Sequence, residues 1–544
     1  MPAGALLQRA GQPLTQRAHM MRMVPKVEAK EFATVLDEIT DMYCTAIFDG
    51  TTRVGEALNV IVRYCTADFY VVQRLVAFIT LQKHMNATQM ANLLMQLFLT
   101  KLQIKIENLV ATARDSASVN GAAVRRLGTT FTNAANILCV CHTLSIMGGK
   151  FDFPELEEFT SVWVSMVYSH AGIKTIWKHM VEEEVVGFSN IRWYCKAEII
   201  MQIAKAFGHV GPFLAMLEQL NYAPTLQGKL SQMLSEKKPV IKLQAAAILD
   251  MRAVVSTTYT LEGDGAALIL LAFPLIENIR HLGRNLASEG SLLNVEAVLR
   301  NSAELKRGLI IKKVFVGYGN CEATIVKIDR ADSTLYPGVV RTVYTVKYTI
   351  DGVEEDLEEE ELRPLIFTEN MPERKPIVEG LQKGFDYLES RLTGNCHEQF
   401  SCVETYQIFR LAQIFDPSFA ATTLTPAMVD DLVAIKPLAG FNLVAGLKKE
   451  LPAYLVAAAS CGGFNRTDPA EYSIGLLKWW RINNPPFPTW AKAARIIFAM
   501  APSSAASERV FSLVNNMFGK EQLTSLADFV QGSLMLRYNQ RNVG

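Results

Sequence analysis

Residues 42–53 read MYCTAIFDGTTR: an apolar run of strand length, YCTAIF, that leads onto Asp49, with Gly50 behind it to turn the chain. Outward from there, ALNVIVRYC (57–65) and FYVVQRLVAFITL (69–81) are rich in β-branched and aromatic residues. Short polar turns separate the runs, which predicts a meander of three strands. The period then changes. In NATQMANLLMQLFLTKL (86–102), Met90, Leu93, Leu94 and Leu97 share one helical face, and Asn86 with Gln89 spells a capping box. ENLVATA (107–113) returns to strand just before Asp115, SVNGAAVRRLGTTF (118–131) reads as helix, and ANILCVCHTLSIM (135–147) reads as a further strand. This order puts Asp49 and Asp115 at strand ends facing a loop, the edge where α/β sheets bind ligands. Each aspartate also has an ordinary use: Asp49 in a tight Asp-Gly turn, Asp115 as a helix cap.

The totals bound the rest. A chain of 544 residues, half of them apolar and a fifth charged, folds as two to four domains. Its 54 basic and 54 acidic residues balance, so nucleic acid would have to be held by a local patch or a partner. Nine scattered cysteines with no paired CxxC elements argue against a disulfide framework or a zinc ribbon and fit a reducing cytoplasm or nucleus. The N-terminal stretch has basic residues but no apolar segment before a cleavage site, a poor signal peptide with weak mitochondrial character. The longest apolar stretch, 265–276, is too short for a membrane span, and no membrane association is expected. No P-loop or serine-hydrolase elbow is present.

The expected organisation is an N-terminal helical or linker segment at 1–39 and the first part of an α/β core at 40–180. A helical insertion follows at 181–305, a small all-β barrel at 306–366, a second helical part at 367–470, and a C-terminal region at 471–544. In the barrel, Tyr344, Val346 and Tyr348 alternate with Val343, Thr345 and Lys347, so the two faces of that strand differ. The acidic cluster Glu354, Glu355, Asp356 and Glu358 to Glu361 repels phosphate and favours a basic peptide. Pro364, Pro372 and Pro376 mark a linker. Near the C-terminus, Leu523, Leu526, Phe529, Val530 and Leu534 recur at helical spacing and read as buried apolar surface.

The segment 476–541, with KWW, NNPPFP, the kernel SSAASERVFS (503–512) and a helix ending in LRYN, resembles the C-terminal dimerisation region of hAT-family transposases. IFDGTTRVGEALNVIVRY, RDSASVN and CVCHTL are similar, in order and context, to that family's catalytic half. The resemblance spans roughly 40–200 and 465–541. It implies an α/β ribonuclease-H-like core, interrupted by a mostly helical insertion and completed by C-terminal helices. Asp49, Asp115 and Glu508 then match the family's acidic triad, which holds Mg²⁺ or Mn²⁺ for DNA cleavage and strand transfer. Cys139 and His142 match its CxxH element, and Arg192 with Trp193 its Arg-Trp pair, whose ring handles a flipped base. Arg509 belongs to the C-terminal signature and joins them as a DNA-handling residue. The family implies a homodimer or higher oligomer acting in the nucleus on transposon ends or chromatin. Two features depart from it. No zinc finger is detected before residue 40, and a barrel that resembles Tudor or chromo folds is unusual there. That second resemblance makes Phe315, Tyr318, Tyr344 and Tyr348 a candidate aromatic cage for a methylated or basic histone peptide. It also opens an alternative: a domesticated, inactive, chromatin- or DNA-associated dimer.

Overall fold

The computed structural model describes residues 17–51, 56–81, 85–187, 192–263, 266–333, 335–336, 338–517 and 527–539. The chain divides into two compact units. One comprises Met1–Leu144, Thr257–Glu277 and Leu388–Gly544, the other Ser145–Ser256 and Asn278–Tyr387.

The first unit is built on a sheet of β1 (Cys44–Thr51), β2 (Glu56–Cys65), β3 (Val71–Leu81), β4 (Leu109–Arg114) and β5 (Ala135–Leu138), in the order β3-β2-β1-β4-β5. The first three strands form the expected antiparallel meander, and β4 and β5 run parallel to β1. Nine helices of the chain bear on the argument: α1 (Arg17–Ile39), α2 (Ala87–Met95), α3 (Ser118–Leu127), α4 (Val140–Gly148), α5 (Arg252–Glu262), α6 (Pro469–Asn483), α7 (Pro488–Ala499), α8 (Ala505–Met517) and α9 (Ala527–Tyr538). On one sheet face Ala46, Phe48, Leu58 and Val60 pack with Leu94, Phe98 and Leu127. Each of the larger of these side chains contributes about 1.5–3 kcal/mol of burial. The opposite face is buried too, at Ile47 and Ile61 among others, which is why β1 and β2 read as continuous apolar runs rather than strict alternations. Asn86 caps α2 through Thr88 and Gln89, and the reciprocal Gln89 bond completes the capping box.

Three expectations need correction. The run 135–147 is strand only to Leu138; from Val140 it is helix α4, because the Cys139 thiol accepts from the His142 amide (3.4 Å) and the Cys139 carbonyl from the Thr143 amide (3.2 Å). A short apolar run has no period that separates the two outcomes. The first unit ends at Leu144 rather than near 180. It regains the chain at 257–277 and again from 388, well before 471. Thr405 illustrates the early return, since its hydroxyl accepts from the Leu138 amide (2.9 Å) and so satisfies the edge of β5. Leu523, Leu526 and the Phe529 side chain lie outside the described residues; Val530 and Leu534 are buried as expected.

In the second unit the long helix Pro224–Asp250 packs against helices Pro154–Val167, Trp193–Lys205, Phe207–Gln219 and Leu293–Ser302. The same unit holds an antiparallel sheet of β6 (Ile310–Phe315), β7 (Gly319–Asp332), β8 (Val340–Tyr348) and β9 (Glu354–Glu358), with an Ile311–Ile366 bridge beyond β6. Tyr344 and Tyr348 belong to its apolar core with Ile325, Val346 and Leu357. Phe315 meets Tyr348 edge-on at 5.2 Å, whereas Tyr318 is 78% exposed in the β6–β7 turn. The four rings of the expected cage are therefore divided between core and surface. The acidic cluster is engaged by the sheet's own cations: Lys313 with Glu355 (2.6 Å), Lys347 with Glu354 (3.6 Å), Arg341 with Glu360, and Arg363 with Glu359 (2.6 Å). Internal pairing leaves less acidic charge for a basic peptide than the sequence promised. Among the described residues no single helix is long and apolar enough to cross a membrane.

Candidate active site

The parallel ladder between β1 and β4 ends at the pair Ile47–Ala113. Asp49, still paired to β2, and Asp115, just past the end of β4, each lie two residues further on. The two-residue period of extended chain puts Asp49 on the face that carries Ile47. Neighbouring strands run about 4.8 Å apart, so the two aspartates share one edge of the sheet. Asp115 Oδ1 accepts from the Ala117 amide (2.9 Å) and from Asn120 Nδ2 (2.7 Å), fixing the carboxylate at the start of α3. Behind it, Arg114 donates from Nη1 to the Asp115 carbonyl (2.8 Å) and from Nε to Asn136 Oδ1 (3.2 Å). Burial lowers the Arg114 pKa to about 10, which leaves it cationic at neutral pH.

Glu508 arrives from the other end of the chain. It lies in the first turn of α8, which packs on β1 and β2. Asn59 is the residue opposite Asp49 in the β1–β2 ladder, and its Nδ2 donates to the Ser507 carbonyl at 3.0 Å. Glu508 is therefore one residue past a peptide held against Asp49's cross-strand partner. All three acids are half-buried. What converges is the backbone: among the described residues, no group of three or more His, Cys, Asp or Glu side chains is gathered as a ready metal cluster.

The other anticipated residues take different places. Arg509 donates from Nη1 to the Glu262 carbonyl (2.8 Å) at the C-terminal end of α5, where a cation offsets the helix dipole. That contact anchors α8. Cys139 is buried and shapes the entry to α4, and His142 is half-buried. The Val140 amide donates to the Pro502 carbonyl (3.3 Å), which ties the CxxH segment to the loop that precedes α8.

Arg192 and Trp193 lie in the second unit. Arg192 is buried and precedes helix Trp193–Lys205, whose first amide donates to Ser145 Oγ (3.1 Å). The Trp193 ring lies over Gly148, where an added Cβ would come within 2.0 Å of Cδ2, and meets Phe151 edge-on at 5.4 Å. We expect Gly148→Ala to expel the indole from this seat and cost about 1–3 kcal/mol. The check is a red shift of tryptophan emission with a lower unfolding midpoint; unchanged emission would contradict the seat.

The C-terminal helices form an aromatic core. Tyr454 stacks on Trp490 at 4.2 Å, and Trp480 Nε1 donates to the Phe415 carbonyl at 2.9 Å. Beyond α9, Asn539 both accepts from the Leu75 amide (2.8 Å) and donates to the Leu75 carbonyl (3.1 Å), covering the open edge of β3. Residues 465–538 match the hAT family C-terminal dimerisation region. No curated protein matches the chain. Over that segment the chain is similar to hAT-family proteins, and a dimerisation region implies self-association. In this chain the matched region includes Glu508, on a helix that packs on β1 and β2.

Two contributions were not anticipated. Asn59 carried a signal, an amide inside the β-branched run ALNVIVRYC that strand propensity does not explain. Gly148 carried one only as part of the Gly-Gly pair that follows the apolar run 135–147.

Proposed function

We propose that this protein is a hAT-type DNA transposase whose ribonuclease-H-like core performs metal-dependent phosphodiester cleavage and strand transfer with Asp49, Asp115 and Glu508. The observation that supports the reading is that the β1–β4 parallel ladder ends two residues before Asp49 and Asp115, while Asn59, opposite Asp49, is bonded to the Ser507 carbonyl next to Glu508. The strand order β3-β2-β1-β4-β5, antiparallel then parallel, supports the core assignment. Three carboxylates are an all-oxygen donor set of the kind Mg²⁺ and Mn²⁺ take, so the residues present fit the ions by chemistry. Bound there, the ions would acidify the attacking water or 3′-hydroxyl and neutralise charge on the phosphate. The chain's own part is orientation. Asp115 is braced by Ala117 and Asn120, and the turn bearing Glu508 is braced by Asn59 and by Arg509. The protein would act in the nucleus as a dimer or higher oligomer on DNA. The reading as an inactive chromatin reader has less support, because Tyr344 and Tyr348 fill the barrel core.

The test is incubation of the purified oligomer with labelled DNA and Mg²⁺ or Mn²⁺. Cleaved and joined strands are expected, lost with chelator and lost in Asp49→Asn and Asp115→Asn. Cleavage that survives in both variants would contradict the proposal.

A further inference from the structure

Asn59 is fully buried in β2 among Leu58, Val60, Ile61 and Val62. An apolar residue would fill this position with no polar group to desolvate, and asparagine is disfavoured in strands. Its Nδ2 donates to the Ser507 carbonyl, while its Oδ1 has no protein partner, so the Ser507 bond alone sets the amide's orientation. Ser507 is fully buried as well, and the following residue is Glu508. Other bonds hold the same turn to a different element: Ser503 Oγ donates to the Leu261 carbonyl (2.9 Å) and Arg509 to the Glu262 carbonyl, both on α5. The Asn59 bond links the turn to the strand directly opposite Asp49.

We infer that Asn59 is a positioning residue that holds the first turn of α8, and with it Glu508, in register with the strand carrying Asp49, an inference that rests on the triad proposed above. Two acids separated by more than four hundred and fifty residues of chain need such a tie. A misplacement of about 1 Å at a reacting centre costs roughly a hundredfold in rate. The tie acts through the main chain of Ser507 rather than through the Glu508 side chain.

The experiment uses full-length Asn59→Leu, with Asn59→Ala as the second variant should the first misfold. Alanine removes the donor to the Ser507 carbonyl without adding bulk. Amide hydrogen exchange is read over residues 508–512, and Mn²⁺ binding is titrated by electron paramagnetic resonance, with Asp49→Asn and Glu508→Gln as references. We expect faster exchange in that segment and Mn²⁺ affinity weakened about tenfold or more, as for loss of a residue that orients a ligand. Adding Asn59→Leu to Glu508→Gln should weaken binding no further. Unchanged exchange overturns the inference. So does faster exchange with unaltered Mn²⁺ affinity where Asp49→Asn does weaken it, because the tie would then be structural alone. Faster exchange with Mn²⁺ binding that neither reference variant alters keeps the anchoring and rejects the triad instead.

Discussion

Glu508→Gln is expected to abolish DNA cleavage while leaving the fold and the oligomer intact. Glutamine matches glutamate in shape, and Glu508 is half-buried in the first turn of α8, where the acid–helix-dipole interaction that it gives up is worth about 0.3–1 kcal/mol. The chemical loss is larger. Removing one anionic ligand from a site that must hold two divalent ions forfeits several kcal/mol of charge stabilisation. A loss of about 4 kcal/mol corresponds to roughly a thousandfold in rate. Single-turnover cleavage with Mn²⁺, beside size-exclusion and circular dichroism of the same preparation, checks both halves. Cleavage within a few-fold of the parent would remove Glu508 from the active centre.

The largest stability effect is expected far from that centre in sequence, at Arg374. Its guanidinium is buried in the second unit, where Nη1 meets Glu296 Oε1 at 3.0 Å and Thr368 Oγ1 at 3.1 Å. Nη2 donates to the Ser288 carbonyl at 2.6 Å and to Ser291 Oγ at 3.2 Å. Glu296 is itself fully buried. Arg374→Met keeps most of the volume but leaves Glu296 inside with only Arg300 (3.4 Å) as a nearby cation and the Gly290 amide as a donor. Breaking one partner of a buried pair costs about 3–5 kcal/mol. Urea denaturation should show a loss of that size, and Arg374→Met with Glu296→Leu should recover much of it, because the stranded charge is then gone. A single-variant loss below about 1 kcal/mol would contradict the buried-pair account.

The sheet was legible because its strands are long, β-branched and bounded by polar turns. The positions of Asp49 and Asp115 followed from the apolar runs before them. The Asn86–Gln89 box was legible because both partners lie within one turn. Where local pattern was silent, the reading failed. A short apolar run such as 135–147 carries no signal for the strand-to-helix change at Cys139. Arg374 lies between Pro372 and Pro376 in the expected linker, and the local pattern carried no sign that it is among the most buried cations of the described residues. Tyr344 and Tyr348 were legible as one face of a strand, but not as core rather than cage, since burial depends on what the rest of the barrel brings over them. That Glu508 belongs with Asp49 was implied only by the family resemblance. The Asn59–Ser507 bond spans 448 residues, and no periodicity reaches that far.

Whether Asp49, Asp115 and Glu508 form one metal-holding centre is tested most directly by anomalous diffraction from Mn²⁺-soaked crystals of the full-length protein. Manganese ligated by all three carboxylates is the expected result. Manganese bound elsewhere, with none of the three in its coordination shell, would contradict it.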